Sequence, residues 1–396
     1  MRIALAHLRH APTGGTERYL DRLAAHLAAR GHEVVIVCRS HARAPHAAVR
    51  FHVLHGLAVG GAWRMWGFAR ALERHVARAS YDLVVGLGKT WAQDVLRLGG
   101  GCQRTYLERA HAATLTPRDR LLGSGSVKHA LAVRIEERAL AQPATHVVTN
   151  SEMVRRDVLA RYAIDGERVT TIHNGVDLER FHPRLRAEAG AARRRELGLG
   201  PDETVVLFLG TGYARKGLDV VLEAFPQVRA AHPAARLVVA GFDSARPRYE
   251  ARARELGCAD VTHFVGGTLA PETLFAAADL YVLPTRYDPF ANSTLEALAS
   301  GLPVITSRSN GGAELIDEGV HGALLDVGPH AGSDVAAVAD LARLVTEWCE
   351  PERRRAGARA ARARAEEHGD GSKFRAAEAL FERVAERRLA AAGGRP

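Results

Sequence analysis

Two carboxylates, Asp288 and Glu296, stand eight positions apart in the stretch RYDPFANSTLEALASGLPVITS, residues 286–307. An apolar run typical of a strand comes before it. Gly301 and then Pro303 must end any helix that follows. A short helix is therefore predicted between them, with one carboxylate before its start and the other inside it. Such a pair could act on a bound ligand, or it could simply cap the helix.

The helix start has two interpretations. Ser293 and Glu296 match the S-x-x-E pattern of a capping box, which would explain Glu296 without any chemistry. A capping box does not explain Asp288, which lies in a loop at the end of a predicted strand. Nor does it explain the small polar run Asn292, Ser293 and Thr294, whose amides could hold a phosphate at the helix start.

Two adjacent cations, Arg215 and Lys216, follow a strand in the loop GTGYARKG, residues 210–217. Neither nucleotide-binding fingerprint is complete, because Arg215 replaces the third glycine of GxGxxG and Leu83 replaces the first glycine of a P-loop around GLGKT. The cations could be a solvated pair at a helix start. Cations there oppose the helix dipole, however, so a bound anion such as a diphosphate is favoured.

A third loop, TGGTER at residues 13–18, joins a strand to a helix. Gly14 and Gly15 allow a close approach of the backbone, and the amides of the following helix start could face an anion. The alternative is an ordinary glycine turn capped by Thr16. Taken alone, this loop favours the ordinary turn.

The elements around these loops predict an α/β fold. Strand, glycine loop, helix and strand make a βαβ unit, which implies a parallel sheet, and the same order restarts in the second half. We expect two doubly wound domains, with ligands beyond the carboxyl ends of the strands and in the cleft between the domains. The predicted strands of the first half are 2–7, 32–38, 81–88 and 144–151, and the predicted linker is 182–203.

Composition narrows the class of protein. With 396 residues, 47% of them hydrophobic and 25% charged, the chain suits two or three globular domains. A net charge of +9 favours anionic partners, although no motif of the nucleic-acid type stands out. The four cysteines are far apart and form no CxxC pair, which fits a reducing compartment. No signal peptide and no membrane-spanning run is expected.

The segment 104–140 mixes basic and apolar residues and again leaves two interpretations open. A basic amphipathic stretch can lie on an anionic membrane. It can equally be a pair of helices with one face in the core and an arginine-rich outer face.

Together these motifs resemble the family-4 retaining glycosyltransferases, over nearly the whole chain. The six motifs that fit in order are TGGTERYLDRLAAHLAARGHEV, VVTNSEMVRRDV, IHNGVDLERFHP, GTGYARKGLDVVLEAF, ADLYVLPTRYDPFANSTLEALASGLPVITS and GGAELIDEGVHGALL. Within the family, YDLVVGLGKTWAQDV and the basic stretch after it look most like the lipopolysaccharide-core glucosyltransferases. The resemblance implies the GT-B fold, in which two Rossmann-like domains face a central cleft.

The resemblance also implies a domain plan. Residues 1–182 would be the acceptor-binding domain, and residues 183–367 would bind the nucleotide sugar. Residues 368–396 would form a helix that crosses back to the first domain.

By the same resemblance, Glu296 holds the ribose and Asp288 sits near the donor sugar. The family has glutamate at the first of these positions, so Asp288 is one methylene shorter. Arg215 and Lys216 match the pair that binds the donor diphosphate. The remaining donor-side residues are Gly14, Gly15, Thr16, Gly212, Val265, Gly266, Asn292, Ser293 and Thr294. On the acceptor side, Asp94 is the nearest carboxylate to a position where relatives carry His or Asp. The alternative is that Asp94 lies at the N-terminus of a helix and interacts with the helix dipole.

The expected activity is transfer of a hexose, from UDP-glucose, to a hydroxyl of a lipopolysaccharide-core or other cell-envelope glycan. GDP-mannose as donor and a catalytically inactive GT-B scaffold are the alternatives. No Asp-x-Asp motif is present, and no metal or cofactor is expected. The expected partners are the nucleotide sugar, a glycan or glycolipid acceptor and the inner face of an anionic membrane, with no nucleic acid. The expected location is cytoplasmic.

Overall fold

The computed structural model describes residues 1–10, 14–41, 44, 46–56, 60–111, 127–330 and 334–393. These residues form two compact units. The first holds residues 1–105, 127–173 and 371–393, and the second holds residues 106–111 and 174–370. Each unit is described by itself.

The first unit is built on a parallel sheet of seven strands in the order β3-β2-β1-β4-β5-β6-β7. Its strands are β1 Arg2–Ala6, β2 Glu33–Cys38, β3 Val49–Val53, β4 Leu83–Gly86, β5 Val95–Leu98, β6 His146–Thr149 and β7 Val169–Thr171. Its helices are α1 Gly15–Ala29, α2 Gly60–Val76, α3 Val127–Leu140 and α4 Glu152–Arg161. A short helix, Gln103–Thr105, runs into a π-helical turn, Tyr106–His111.

Helices cover both faces of this sheet. Ile3 and Leu5 of β1 face a core that α1 shares, whereas Ala4 and Ala6 face a second core with Phe68 of α2. A strand buried on both sides needs the apolar run RIALA rather than an alternating pattern. This arrangement confirms the predicted doubly wound α/β fold for the first half.

The last helix that the structure describes belongs to the core of the first unit. Helix α12 (Asp370–Gly393) packs Phe374, Leu380 and Phe381 against Leu20 and Leu23 of α1. It carries its apolar residues on one stripe, which buries them against the sheet side that α1 also covers.

The second unit has a parallel sheet of six strands in the order β10-β9-β8-β11-β12-β13. The strands are β8 Thr204–Leu209, β9 Ala235–Ala240, β10 Thr262–Gly266, β11 Leu280–Leu283, β12 Val304–Ser307 and β13 Gly322–Leu325. The helices are α5 Ala189–Glu196, α6 Leu218–Ala231, α7 Arg246–Glu255, α8 Pro271–Ala277, α9 Asn292–Ala299, α10 Val335–Cys349 and α11 Pro351–Glu366. A helical turn, Tyr213–Lys216, precedes α6.

The predicted linker, residues 182–203, is instead an ordered part of the second unit. Helix α5 lies in it and is held by Arg194, whose guanidinium donates to the carbonyls of Ala277 and Gly200 and to Asp279. The segment looked like a linker because its polar residues include arginines that bind backbone oxygens rather than water.

Within the predicted membrane segment, residues 112–126 lie outside the described residues. In the described remainder, α3 buries Ile135 and Ala139 in the core of the first unit. Among the residues that the structure describes, no helix is both long enough and apolar enough to cross a bilayer.

Candidate active site

The loop after β8 presents the two cations on a tightly fixed turn. Gly212 and Gly217 flank the turn Tyr213–Lys216, with φ of 79° and 78°. A Cβ atom on Gly217 would lie 2.0 Å from the carbonyl oxygen of Pro284, just after β11. Gly217 therefore meets two needs, a left-handed backbone and a close approach to the end of the neighbouring strand.

Asp288 joins both cations through a single oxygen. Its Oδ2 accepts from Nη1 of Arg215 at 2.9 Å and from Nζ of Lys216 at 2.5 Å, while Oδ1 accepts from the amide of Phe290. Asp288 and Lys216 are both buried. Of the predicted catalytic residues, these three are brought together.

The charges in this triad determine its protonation. Burial disfavours an ionised Asp288, but the positive charges of Lys216 and Arg215 outweigh burial and lower its pKa to about 2. Burial lowers the pKa of Lys216, although the charge of Asp288 acts to raise it. We take the pair as ionised, because one carboxylate oxygen faces two donors at ion-pair distance. The triad then carries a net charge of +1.

The capping box predicted at the start of α9 is wrong. The N-cap is Ala291, without a side-chain cap, and Ser293 lies inside the helix with its hydroxyl 2.7 Å from the hydroxyl of Tyr281. Asn310, which is remote in sequence, holds the helix start instead. Its Oδ1 accepts from the amide of Ala291, and its Nδ2 donates to the hydroxyl of Thr294.

Other predicted donor-side residues of α9 are also engaged within the protein. The amide of Thr294 donates to the carbonyl of Ala291 and is therefore not a free phosphate donor. Asn292 accepts from Nδ2 of Asn174 at 2.6 Å, which ties the chain at Asn174 to the helix start. Glu296 is buried on the same helix, one turn further on.

The other predicted donor-side residues of the second half lie at the ends of strands. Val265 and Gly266 are the last residues of β10, and the amide of Gly241 donates to the carbonyl of Gly266 at 2.8 Å. The loops that follow β8, β10 and β11 all leave the carboxyl edge of one parallel sheet. Gly212 belongs to the first of these loops. The predicted donor-side residues of the second half thus share one edge, as ligand binding in such sheets requires.

An ion pair that was not predicted from the sequence holds the turn Tyr213–Lys216, which we call the cation turn because it carries Arg215 and Lys216. Arg286, shortly after β11, forms two hydrogen bonds with the carboxylate of Asp219 at 2.9 and 2.6 Å. Its Nη1 also donates to the carbonyl of Ala214, and its amide donates to the carbonyl of Arg215. The only sequence signal was a charged residue next to a strand.

In the first unit, the side chain of Glu17 of α1 lies against the glycine loop that precedes this helix. Gly14 is the N-cap of α1, with φ of 121°, and Gly15 and Thr16 begin the helix. A Cβ atom on Gly14 would lie 2.2 Å from Oε2 of Glu17, so this side chain turns back over the helix start. The predicted cap by Thr16 is therefore wrong, since Thr16 lies inside the helix. Anion binding at this loop stays a prediction.

Asp94 lies at the opposite edge of the first sheet from Gly14. It directly precedes β5, so it lies at the amino edge, and its Oδ2 accepts from the amide of Val84 and from Arg388, both at 2.8 Å. Burial raises its pKa. A strand rather than a helix follows it, so both interpretations given to Asp94 from the sequence lack structural support.

His7 is a polar residue at the carboxyl edge that the sequence did not single out. It follows β1, and its Nδ1 donates to the carbonyl of Leu87 at 2.6 Å. Burial lowers the pKa of the imidazole, which favours the neutral ring. A lone histidine carries too little pattern to be found from sequence.

Among the described residues, His32, Glu378 and Glu382 form one group with ligand atoms close enough for a metal ion. The group lies where α12 meets the end of α1. Glu378 already accepts hydrogen bonds from Arg30 and His32, so the carboxylate is satisfied without an ion. We assign no metal to it.

Two family models match the chain. The model described as Glycosyltransferase Family 4 covers residues 13–180, and the model described as Glycosyl transferases group 1 covers residues 191–363. The chain is 37% identical over 238 residues to a D-inositol 3-phosphate glycosyltransferase of Thermomonospora curvata, covering 56% of this chain and 54% of that protein. It is 27% identical to the glycogen synthase of Mycobacterium tuberculosis, covering 92% and 90%. It spans 50–62% of the length of several other curated relatives.

Solved structures share the architecture. WaaG, a glycosyltransferase involved in lipopolysaccharide biosynthesis, matches with a TM-score of 0.79 at 24% identity, over 96% of this chain and 99% of that one. Sucrose-phosphate synthase from Thermosynechococcus elongatus matches with a TM-score of 0.76 at 22% identity, over 99% of each chain. These likenesses show the fold, which is GT-B. The protein belongs to the family-4 glycosyltransferases.

Proposed function

We propose that the protein transfers a hexose from UDP-glucose to a hydroxyl of a lipopolysaccharide-core or other cell-envelope glycan, with retention of configuration. The observation that carries the proposal is the triad of Arg215 with the buried Lys216 and Asp288, at the carboxyl edge of a parallel sheet. Further support comes from a structural neighbour, the Anabaena HepE protein, solved in complex with UDP and glucose.

The chemistry assigned to the triad is stabilisation of the departing diphosphate. Negative charge develops on that group as the glycosidic bond breaks, and two cations already fixed in place stabilise it more than water would. Asp288 would face the transferred sugar and Glu296 the ribose. The acceptor hydroxyl would attack from the side that the diphosphate leaves, and the leaving phosphate would take its proton.

The decisive experiment removes the cations. Combined replacement Arg215→Ala and Lys216→Ala should reduce release of UDP from UDP-glucose by at least about a hundredfold, because transition-state donors of this kind each contribute roughly that factor. Turnover is measured by nucleotide release, and folding by the melting temperature.

The matched control replaces Arg229 and Arg252 with alanine. Both are surface arginines of the same unit that pair with acids, Asp260 and Glu223. The control should keep full turnover. Equal turnover of the cation variant and the wild type would refute the proposed role.

The donor is open to a direct comparison. Thermal shifts with UDP, GDP and ADP should be largest with UDP. A larger shift with GDP would favour the alternative, a mannosyltransferase using GDP-mannose. Binding of a nucleotide without any release from a sugar nucleotide would favour an inactive scaffold.

The acceptor is the least constrained part of the proposal. The relatives are named for inositol 3-phosphate and glycogen chemistry as well as lipopolysaccharide.

A cytoplasmic site of action, with residues 104–140 on an anionic inner membrane, belongs to the same proposal. The exposed side chains of Trp63 and Val127, on α2 and α3, are available for such contact. Failure to co-sediment with anionic phospholipid vesicles would contradict it.

A further inference from the structure

A nearly buried arginine reaches the carboxyl edge of the first sheet. Arg97 of β5 is only 6% exposed, and its guanidinium carbon lies 3.6 Å from the centre of the Tyr19 ring of α1. Its Nη1 lies 2.2 Å from the place that a Cβ atom on Gly99 would take. Because β5 ends at Leu98, the guanidinium stands at the end of this strand, and stacking on Tyr19 holds it there.

A second polar side chain comes to the same strand end. Leu98 pairs in register with Thr149, the last residue of β6, so Asn150 follows beside Gly99 on the same face of the sheet as Arg97. Its Nδ2 donates to the carbonyl of Gly99 at 3.0 Å. Asn150 is 1% exposed, and its Oδ1 has no hydrogen-bond partner among the described residues. A buried acceptor that no protein group satisfies indicates a donor supplied from outside.

Three glycines keep this strand end open. Gly99, Gly100 and Gly101 follow β5 directly, and Gly100 is exposed. A Cβ atom on Gly100 would have no neighbour within 4 Å among the described residues, whereas one on Gly99 would displace the guanidinium. The loop therefore places no side chain of its own over Arg97 or Asn150, and a ligand can approach over the bare backbone.

The chemistry of this strand end suits a negatively charged group. A guanidinium is always ionised, and it carries several N–H donors in a planar fork, more than one contact inside the protein uses. Its low exposure strengthens its attraction for an anion, because little water is left to screen the charge. The amide oxygen of Asn150 beside it can only accept a hydrogen bond, which a sugar hydroxyl would donate.

We propose that Arg97 and Asn150 bind an acceptor sugar that carries a phosphate or a carboxylate. Arg97 holds the anionic group, and Oδ1 of Asn150 accepts a hydrogen bond from a neighbouring hydroxyl. The inference rests on the proposed function and on the domain plan in which the first unit binds the acceptor. It narrows the acceptor from any glycan to an acidic or phosphorylated one, since a neutral sugar leaves donors of the guanidinium without a partner.

The test compares charged and neutral sugars on the protein with UDP bound, so that UDP occupies the cation turn. Dissociation constants of glucose 6-phosphate, glucuronate and glucose are measured by ligand-observed NMR. At least one anionic sugar should bind about tenfold or more tightly than glucose, as expected for a hydrogen bond to a charged group. The tighter of the two anionic sugars tells whether the site takes a phosphate or a carboxylate.

Arg97→Met should abolish this preference, because it removes the charge while its unbranched side chain keeps the packing on Tyr19. The affinity for the preferred anionic sugar should fall roughly 10- to 100-fold, and that for glucose should stay the same. Asn150→Ala should weaken anionic and neutral sugars alike, by about 2- to 10-fold, because the lost bond is to a hydroxyl. Melting temperatures verify folding, and the comparison of sugars on the wild type needs no variant.

Arg168→Met is the matched control. Arg168 is a half-buried arginine of the same unit that directly precedes β7, at the amino edge of the sheet, and it donates to the carbonyl of Thr145. Its replacement should change none of the three dissociation constants.

Two failures are distinguishable. If UDP binds but the wild type binds neither anionic sugar more tightly than glucose, the inference falls and the proposed function stands. An unchanged preference in Arg97→Met would likewise overturn the inference alone. If the wild type binds no UDP, the proposed function itself fails, and the inference with it.

Discussion

Asp288 gives both cations of the site the same counter-ion. Lys216 is buried, and a buried ammonium without a partner is costly, so the carboxylate stabilises the site when no ligand is bound. Under the proposed function, the same carboxylate would oppose an incoming diphosphate. Asp288 would thus lower the affinity for the proposed donor while it stabilises the ligand-free site.

A prediction at this scale is that Asp288→Asn binds UDP more tightly than the wild type although it turns over more slowly. The change removes the negative charge of the triad while the amide keeps nearly the same shape. The ligand-free variant should be less stable by about 3 kcal/mol, because a buried cation loses its partner. Calorimetry and thermal melting with and without UDP measure both effects.

The pH dependence of this effect follows from the depressed pKa of Asp288, about 2. Its ionisation stabilises the folded state above the ordinary aspartate pKa, and that contribution is lost only as the pH falls towards the lowered value. Titration of Asp288 should therefore add no pH dependence to the affinity difference between the variant and the wild type from about pH 5 to about pH 8. Asp326→Asn, at an exposed aspartate, is the control. Weaker UDP binding by Asp288→Asn would contradict this account.

At the scale of the elements, the ion pair of Arg286, after β11, with Asp219 of α6 positions the cation turn. Arg286→Lys should lower kcat by at least about tenfold, because a lysine cannot form the two-pronged contact and the turn would shift. Steady-state kinetics and melting temperature measure the outcome.

Arg194→Lys is a matched control for this prediction. Arg194 is also a largely buried arginine bound to an aspartate, Asp279, but that aspartate precedes β11 at the amino edge. Both variants should lose stability, and only Arg286→Lys should lose kcat. A similar kcat for the two variants would show that Arg286 has only a structural role.

Local pattern predicted the principal strands and helices around the site, and it failed where residues remote in sequence intervene. The S-x-x-E match suggested a cap by Ser293, but the helix already begins at Asn292, so Ser293 lies inside it. The side chain that holds this helix start belongs to Asn310, which follows the N-cap residue Ala291 by 19 positions. Contacts between separate segments leave no local pattern, so this cap could not be predicted.

The short strands were missed for a related reason. Strand β5 has four residues and includes the buried Arg97, and β7 has three residues. Such runs are too short and too polar to be predicted as strands, and they form because a neighbouring strand offers its hydrogen-bonding edge. The grouping of Arg215, Lys216 and Asp288 was predicted, whereas the hydrogen bonds among them required the structure.

At the scale of the whole molecule, one buried carboxylate fastens the last helix to the first. Glu378 of α12 accepts from Arg30 at 3.2 Å, and it lies 3.2 Å from Nε2 of His26 and 2.9 Å from Nε2 of His32. Burial opposes its ionisation, but the hydrogen bonds from these three residues lower its pKa below the usual value.

Glu378→Gln should therefore reduce the free energy of unfolding by about 1–3 kcal/mol at pH 7, the cost of leaving buried donors poorly matched. A depressed carboxylate pKa stabilises the fold above the ordinary glutamate pKa, and this contribution is lost as the pH falls through the lowered value. The difference from the wild type should shrink below about pH 4. Denaturant unfolding above and below this pH measures it.

Glu382→Gln, at an exposed position one turn further along α12, is the control and should have little effect at either pH. A loss in Glu378→Gln that is equal at both pH values would show that the charge of Glu378 is not the cause.

The packing of α12 in the core of the first unit also bears on synthesis at the ribosome. Phe374, Leu380 and Phe381 follow the whole second unit along the chain, yet they complete the core around β1 and α1, which precede that unit. Domains usually fold in the order in which they emerge. Here the second unit, which is made in between, can complete its core before α12 is available to the first.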